Sequence, residues 1–145
     1  MLAACESPLS PSELVGVDQG ERLWAARGYT DYTIETRLEC FCPPSLRDWA
    51  MIEVVSGRVR RVVLLTTLAV ITDERLPWWR TVEEIFGDLH RANIENGGWL
   101  KDVQLSLDPV LGYPTTISWL SKPKVQDAGL VQYFRNPQQL LPPPS

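Results

Sequence analysis

Across residues 32–42 the chain alternates without a break. Tyr32, Ile34, Thr36, Leu38, Cys40 and Cys42 take one set of positions, and Asp31, Thr33, Glu35, Arg37 and Glu39 take the other. Successive side chains of a strand point to opposite faces, so this spacing predicts a strand with one apolar face and one charged face. A sheet with one wet face is antiparallel, because parallel sheets are covered on both sides. That strand narrows the fold class before any other segment is considered.

The flanking segments fit the same frame. Asp18, with Glu21 three residues on, reads as a capping box that opens a short helix through Leu23, Trp24, Ala25 and Ala26 and stops at Gly28. Residues 51–55 and 58–65 flank Ser56-Gly57, a hairpin turn. Residues 66–75 are rich in β-branched side chains but poorly periodic. Thr81 and Glu84 form a second capping box, followed by Val82, Ile85, Phe86 and Leu89 at helical spacing and closed by Asn96-Gly97-Gly98. Residues 103–107 and 115–120 predict two further strands, and residues 130–134 a last short one. Helix, three strands, helix, then two or three strands predicts an α+β fold in two layers, an antiparallel sheet with two helices packed on one face. A chain of 145 residues is enough for one domain. It is expected at 18–136, with residues 137–145 as a Pro-rich tail.

The apolar share of 44% and charged share of 22% are those of an ordinary globule. The longest apolar run, residues 62–71, is half the roughly 20 residues of a membrane-spanning helix. Net charge is −4, and the basic residues are scattered apart from Arg58, Arg60 and Arg61. Nucleic acid, which selects a broad basic face, is not an expected partner. The one histidine, His90, falls on the second predicted helix with no matching ligand in the sequence, whereas zinc takes four. No metal and no cofactor are therefore expected. A Ser-His-Asp arrangement would hang on His90 alone, so the chain is not expected to be an enzyme. Asp108, in the connection 108–114, reads as an acceptor for turn amides rather than a catalytic carboxylate.

Leu2-Ala3-Ala4-Cys5 reads as a bacterial lipobox, whose cysteine takes a lipid. A lipoprotein signal carries an apolar run of about 7–15 residues before its cleavage site. Residues 1–17 are accordingly read as a clipped signal remnant and a tether, Glu6-Ser7-Pro8-Leu9-Ser10-Pro11-Ser12, whose Pro and Ser favour extended backbone. The other reading is a coincidence of common residues. On the first, Cys5 is the lipidation site and the domain is held at the membrane of a bacterial cell envelope, or secreted there. Cys40 and Cys42 either pair as a local disulfide or stay as two packed thiols. Cα atoms at i and i+2 of a strand stand roughly 6.6 Å apart, at the edge of disulfide reach.

Cys40-Phe41-Cys42, Val55-Ser56-Gly57-Arg58-Val59, Thr81-Val82-Glu83-Glu84-Ile85-Phe86 and Asp108-Pro109-Val110-Leu111-Gly112-Tyr113-Pro114-Thr115 occur in this order. Over residues 24–136 the chain resembles a family of secreted or lipid-anchored bacterial proteins known only as a domain of unknown function. The resemblance implies an envelope location and a single small domain. It carries no activity, substrate or catalytic residue.

Six tryptophans remain to be placed. Trp24 and Trp119 fit apolar faces, whereas Trp49, Trp78, Trp79 and Trp99 fall in predicted loops. Trp78 and Trp79, between Pro77 and Arg80, are expected to form an exposed aromatic surface with Arg80, since tryptophan is enriched where interfaces bury an anchor. They point to a non-catalytic binding module for an envelope protein, peptide or glycan. The competing readings are a thiol-redox protein using Cys40 and Cys42 and a purely structural envelope protein. A reactive thiol needs a helix N-terminus or a nearby cation, and Glu39 supplies the opposite. Protein isolated from its source membranes is expected to yield an N-terminal peptide with acylated Cys5; a mass spectrum of that peptide intact and unmodified refutes the lipobox reading.

Overall fold

The computed structural model describes residues 9–94, 100–121 and 129–140. The alternating segment becomes β1 (Tyr32–Glu39), with Tyr32, Ile34 and Thr36 buried on one face. The chain runs α1 (Pro11–Ala26), β1, α2 (Pro44–Arg47), β2 (Ala50–Val55), β3 (Arg58–Leu64), β4 (Val70–Ile71), α3 (Val82–Ile94), β5 (Leu100–Leu107), β6 (Pro114–Ser121) and β7 (Leu130–Gln139). A short 3-10 turn occupies Leu76–Trp78. The strands form one antiparallel sheet in the order β4-β3-β2-β1-β7-β6-β5. The architecture is α+β. Two meanders, β1 to β4 and β5 to β7, meet where β1 pairs with β7.

Local chemistry explains the turns. Ser56 and Gly57 take φ of 52° and 79°, the left-handed pair that joins β2 tightly to β3. The Ser56 amide donates to Asp31 Oδ1 at 3.0 Å. The expected capping box of the second long helix forms as read. Glu84 N donates to Thr81 Oγ1, and Thr81 N donates to Glu84 Oε1, both at 3.0 Å.

The first helix corrects the sequence reading. It opens at Pro11, not at Asp18, with Ser10 as its cap. Glu13 N donates to Ser10 Oγ, and Ser10 N donates to Glu13 Oε1. Ser-Pro, read as tether, is also a favoured cap and first helical residue, and here the helix wins. Helix α1 therefore crosses from the expected tether into the expected domain, and Leu9 before it is buried. It stops where expected, with Gly28 at φ 67°. Asp18 and Glu21 then lie inside the helix, with no cap to form. They meet His90 on α3, whose Nε2 is 3.0 Å from Glu21 Oε1 and 3.8 Å from Asp18 Oδ1. His90 is thus not the isolated residue its sequence context suggests.

The far end of the chain differs too. β7 is not short: its ten residues make it the longest strand among the described residues, and it lies beside β1 at the sheet centre. Asn136-Pro137 looks like a strand terminator, but the register shifts there and Asn136 adopts φ 54°. A bulge of this kind lets a strand pass a proline and continue. The sheet accordingly continues three residues into the expected tail. β1 also ends earlier than the alternation, at Glu39, leaving Cys40 and Cys42 beyond it.

Tyr32 ties β1 to both long helices. Its side chain is fully buried. Its hydroxyl donates to Glu83 Oε2 at 2.6 Å and accepts from Val82 N at 3.2 Å, satisfying one of the amides left unpaired at the start of α3. Burial, then the Glu83 carboxylate, pushes this phenol far above the ordinary tyrosine range, so it stays a neutral donor. Trp24 of α1 packs edge-on against the same ring at 5.1 Å, and edge-on against Tyr29 and Tyr113 at 5.6 and 6.0 Å.

One turn before Trp24, α1 meets the β5–β6 connection backbone to backbone. Asp108 accepts from the amides of Val110 and Leu111 at 2.9 and 2.7 Å, and its carbonyl accepts from Gly112 N, as expected of a turn carboxylate. Gly112 has φ 84°, and a Cβ added there would collide with Gly20 O. A Cβ on Gly20 would come within 2.7 Å of Gly112 O and 2.8 Å of Leu107 Cδ1, whereas one on Gly16 would meet nothing within 4 Å. Two substitutions in one helix should therefore act oppositely. Gly16→Ala is expected to stabilise by ~0.5–1 kcal/mol through helix propensity. Gly20→Ala is expected to destabilise by ~1–3 kcal/mol through overpacking. Urea unfolding of the two variants checks the difference in sign.

Candidate functional site

The alternation that buries Tyr32 also turns Glu35, Arg37 and Glu39 to the polar face. Register then decides their neighbours. Across β1 and β7, Arg37 lies opposite Tyr133, Glu35 opposite Arg135, and Glu39 opposite Val131. On the other side Thr36 pairs with Ala50, which brings the preceding residue, Trp49, beside Arg37. Trp49 precedes β2 as an extension of it, and its carbonyl accepts from Leu65 N at 2.9 Å.

Three strands thus build one cluster. The Arg37 guanidinium sits 4.7 Å from the Tyr133 ring centroid and 5.7 Å from that of Trp49. The Arg135 guanidinium lies 3.6 Å over Trp49, and the two aromatic rings are 6.4 Å apart at 53°. Carboxylates hold both arginines in place. Glu35 accepts from Arg135 at 2.8 Å and from Asn136 Nδ2 at 3.0 Å, the second contact made available by the bulge. Glu39 accepts from Arg37 at 2.6 Å. Desolvation and then the Glu39 charge raise the Tyr133 phenol above its ordinary value. The result is a half-exposed aromatic cluster, its two rings tilted against each other, rimmed by charge-assisted donors and acceptors. Such a surface stacks on planar or CH-rich groups while bonding hydroxyls and amides around their edges.

Sequence reasoning placed Trp49 in a loop and passed over Tyr133. A signal was present in both cases. Counting back by twos from Glu53 through Met51 puts Trp49 on the polar face of β2, and Tyr133 and Arg135 alternate with buried Gln132 and Phe134.

The expected aromatic surface at Trp78, Trp79 and Arg80 comes apart. Trp78 is 46% exposed, but Trp79 is 4% exposed and belongs to the core. Trp79 follows the 3-10 turn in extended conformation, φ −98° and ψ 137°. The chain turns this side chain inward and leaves its neighbour outside, although the two rings stack at 6.4 Å. Arg80 is engaged within the fold, bonding Glu84 at 3.0 Å and Asp88 at 2.7 Å along α3. Cys40 and Cys42 are joined as a disulfide with Cα atoms 5.3 Å apart, and Phe41 between them stands 88% exposed. Cys5 and Trp99 lie outside the described residues.

A second polar concavity, about 520 Å³, is lined by Glu53, Arg60, Arg61 and Thr72. Both arginines bond the nearly buried Glu53 carboxylate, which answers one of their two charges.

A family model described as a family of unknown function, DUF6174, matches residues 16–138. No curated protein and no solved structure matches the chain.

The split between the adjacent tryptophans is measurable. Trp79→Ala is expected to cost ~3–5 kcal/mol, as for a large core truncation. Trp78→Ala is expected to cost under ~1.5 kcal/mol, chiefly the lost ring stacking. Chemical denaturation of the two single variants checks this; equal losses would return both rings to one environment.

Proposed function

The chain belongs to the DUF6174 family of unknown function, and from that premise we propose that it is a non-catalytic binding module of the bacterial envelope whose polar sheet face engages a glycan. On this reading Cys5 carries the lipid and residues before α1 form the link to the membrane. α1 and α3 together cover the apolar face, a layering supported by Trp24 packing on the Tyr32 ring while the start of α3 bonds its hydroxyl. The opposite face is then left for a ligand.

The observation that carries the reading is the stacked cluster of Arg37, Trp49, Tyr133 and Arg135. Two arginines, two aromatic rings and three polar partners have been ordered on a face where the core gains nothing from them. A pyranose ring presents a CH-rich face to Trp49 or Tyr133 and equatorial hydroxyls to Glu35, Arg135 and Asn136. The arginines, each paired to a carboxylate, make the platform polar without giving it a strong net charge. The candidates for catalysis are occupied otherwise, since Asp108 holds turn amides and His90 meets carboxylates of α1. The thiol-redox reading draws on the Cys40–Cys42 bond alone, and Glu39 at its edge disfavours a thiolate.

The variant Trp49→Ala/Tyr133→Ala should stay folded, losing ~1–2 kcal/mol with its cation–π contacts. Its binding to isolated peptidoglycan sacculi, measured by cosedimentation, should fall about tenfold or more, as for a pair of interface anchors. Wild-type protein that does not cosediment, or a double variant that binds as well as wild type, overturns the glycan reading.

A further inference from the structure

We propose that Asp18, Glu21 and His90 form a divalent-cation site of the zinc class that clamps α1 to α3. Asp18 and Glu21 stand three apart on α1, a spacing that puts both carboxylates on one helix face. His90 reaches them from α3, 69 residues from Glu21 along the chain. One oxygen of each carboxylate and a ring nitrogen of His90 all lie within 4.8 Å of one another.

The spacing suits a tetrahedral ion. Bonds of about 2.0–2.2 Å in tetrahedral geometry set neighbouring ligand atoms roughly 3.3–3.6 Å apart. The two distances from His90 Nε2, 3.0 Å to Glu21 and 3.8 Å to Asp18, bracket that interval. Small rotamer changes are enough to complete the three-ligand set, with water in the fourth position. One imidazole with two carboxylates favours zinc over magnesium or calcium, which take oxygen ligands.

The electrostatics agree. Two carboxylates face one imidazole, so a dication would be drawn there. Arg91, next to His90 in the sequence, is bonded to Asp88. The three side chains are 35–50% exposed, so an ion can enter from solvent without opening the core. Bound there, it would join two helices distant in sequence and stabilise the arrangement in proportion to its occupancy.

Zinc chloride added to EDTA-treated full-length protein is expected to raise the melting temperature, reversibly on adding EDTA, while magnesium does not. Calorimetric zinc affinity should fall at least tenfold in His90→Gln and in Asp18→Asn/Glu21→Gln. Cys5→Ser should keep the full response, which separates this site from thiolate binding. No zinc-dependent shift in the wild type overturns the proposal, as does an unchanged shift in His90→Gln or its loss in Cys5→Ser.

Discussion

The structure depends first on a buried phenol. Tyr32 is the first residue of the central strand, yet its hydroxyl serves the start of α3 and its ring carries the edge of Trp24 from α1. A buried hydroxyl without partners would be destabilising. Here both of its hydrogen bonds go to a helix end whose amides need partners, so one side chain answers two desolvation problems. Burial, then the Glu83 charge, raises the phenol's pKa and keeps the proton on the Tyr32 hydroxyl.

Close approach of α1 to the β5–β6 connection completes that junction. Gly20 and Gly112 remove the Cβ atoms that would hold the two backbones apart, and the Asp108 turn aims Gly112 at the helix. Tyr113, the next residue, is delivered against Trp24. The segment Asp108-Pro109-Val110-Leu111-Gly112-Tyr113-Pro114 packs α1 against the sheet, with glycine and aspartate each meeting a backbone requirement.

The polar sheet face shows how register makes a site from ordinary residues. Arg37, Trp49, Tyr133 and Arg135 come from three segments, and none is distinctive in its own sequence window. Antiparallel pairing places them side by side, and the bulge at Asn136 adds a further hydrogen bond to Glu35. Each exposed cation–π contact contributes only ~0.5–1 kcal/mol, so the cluster is a weak source of stability. On the proposed glycan reading, side chains already held in place lower the ordering cost of binding.

What was legible in the sequence was whatever short-range physics dictates. Period-two alternation revealed β1 and the antiparallel class; Ser56-Gly57 revealed the hairpin; Thr81 and Glu84 revealed the start of α3; Asp108 revealed its turn. Each depends on residues within a few positions of one another. Two segments misled: Ser10-Pro11, expected as tether, caps and opens α1, and Asn136-Pro137, where the domain was expected to end, is a bulge inside β7. Burial settled both, since α1 packs Val17, Gly20 and Trp24 into the core and β7 is needed to pair β1. Only the tertiary structure could send Trp79 inward and Trp78 outward, turn Asp18 and Glu21 from caps into neighbours of His90, and gather Trp49 and Tyr133 onto one face. Those outcomes depend on which strands pair and which helices meet, contacts between residues up to about a hundred positions apart, and no local pattern encodes a partner that distant.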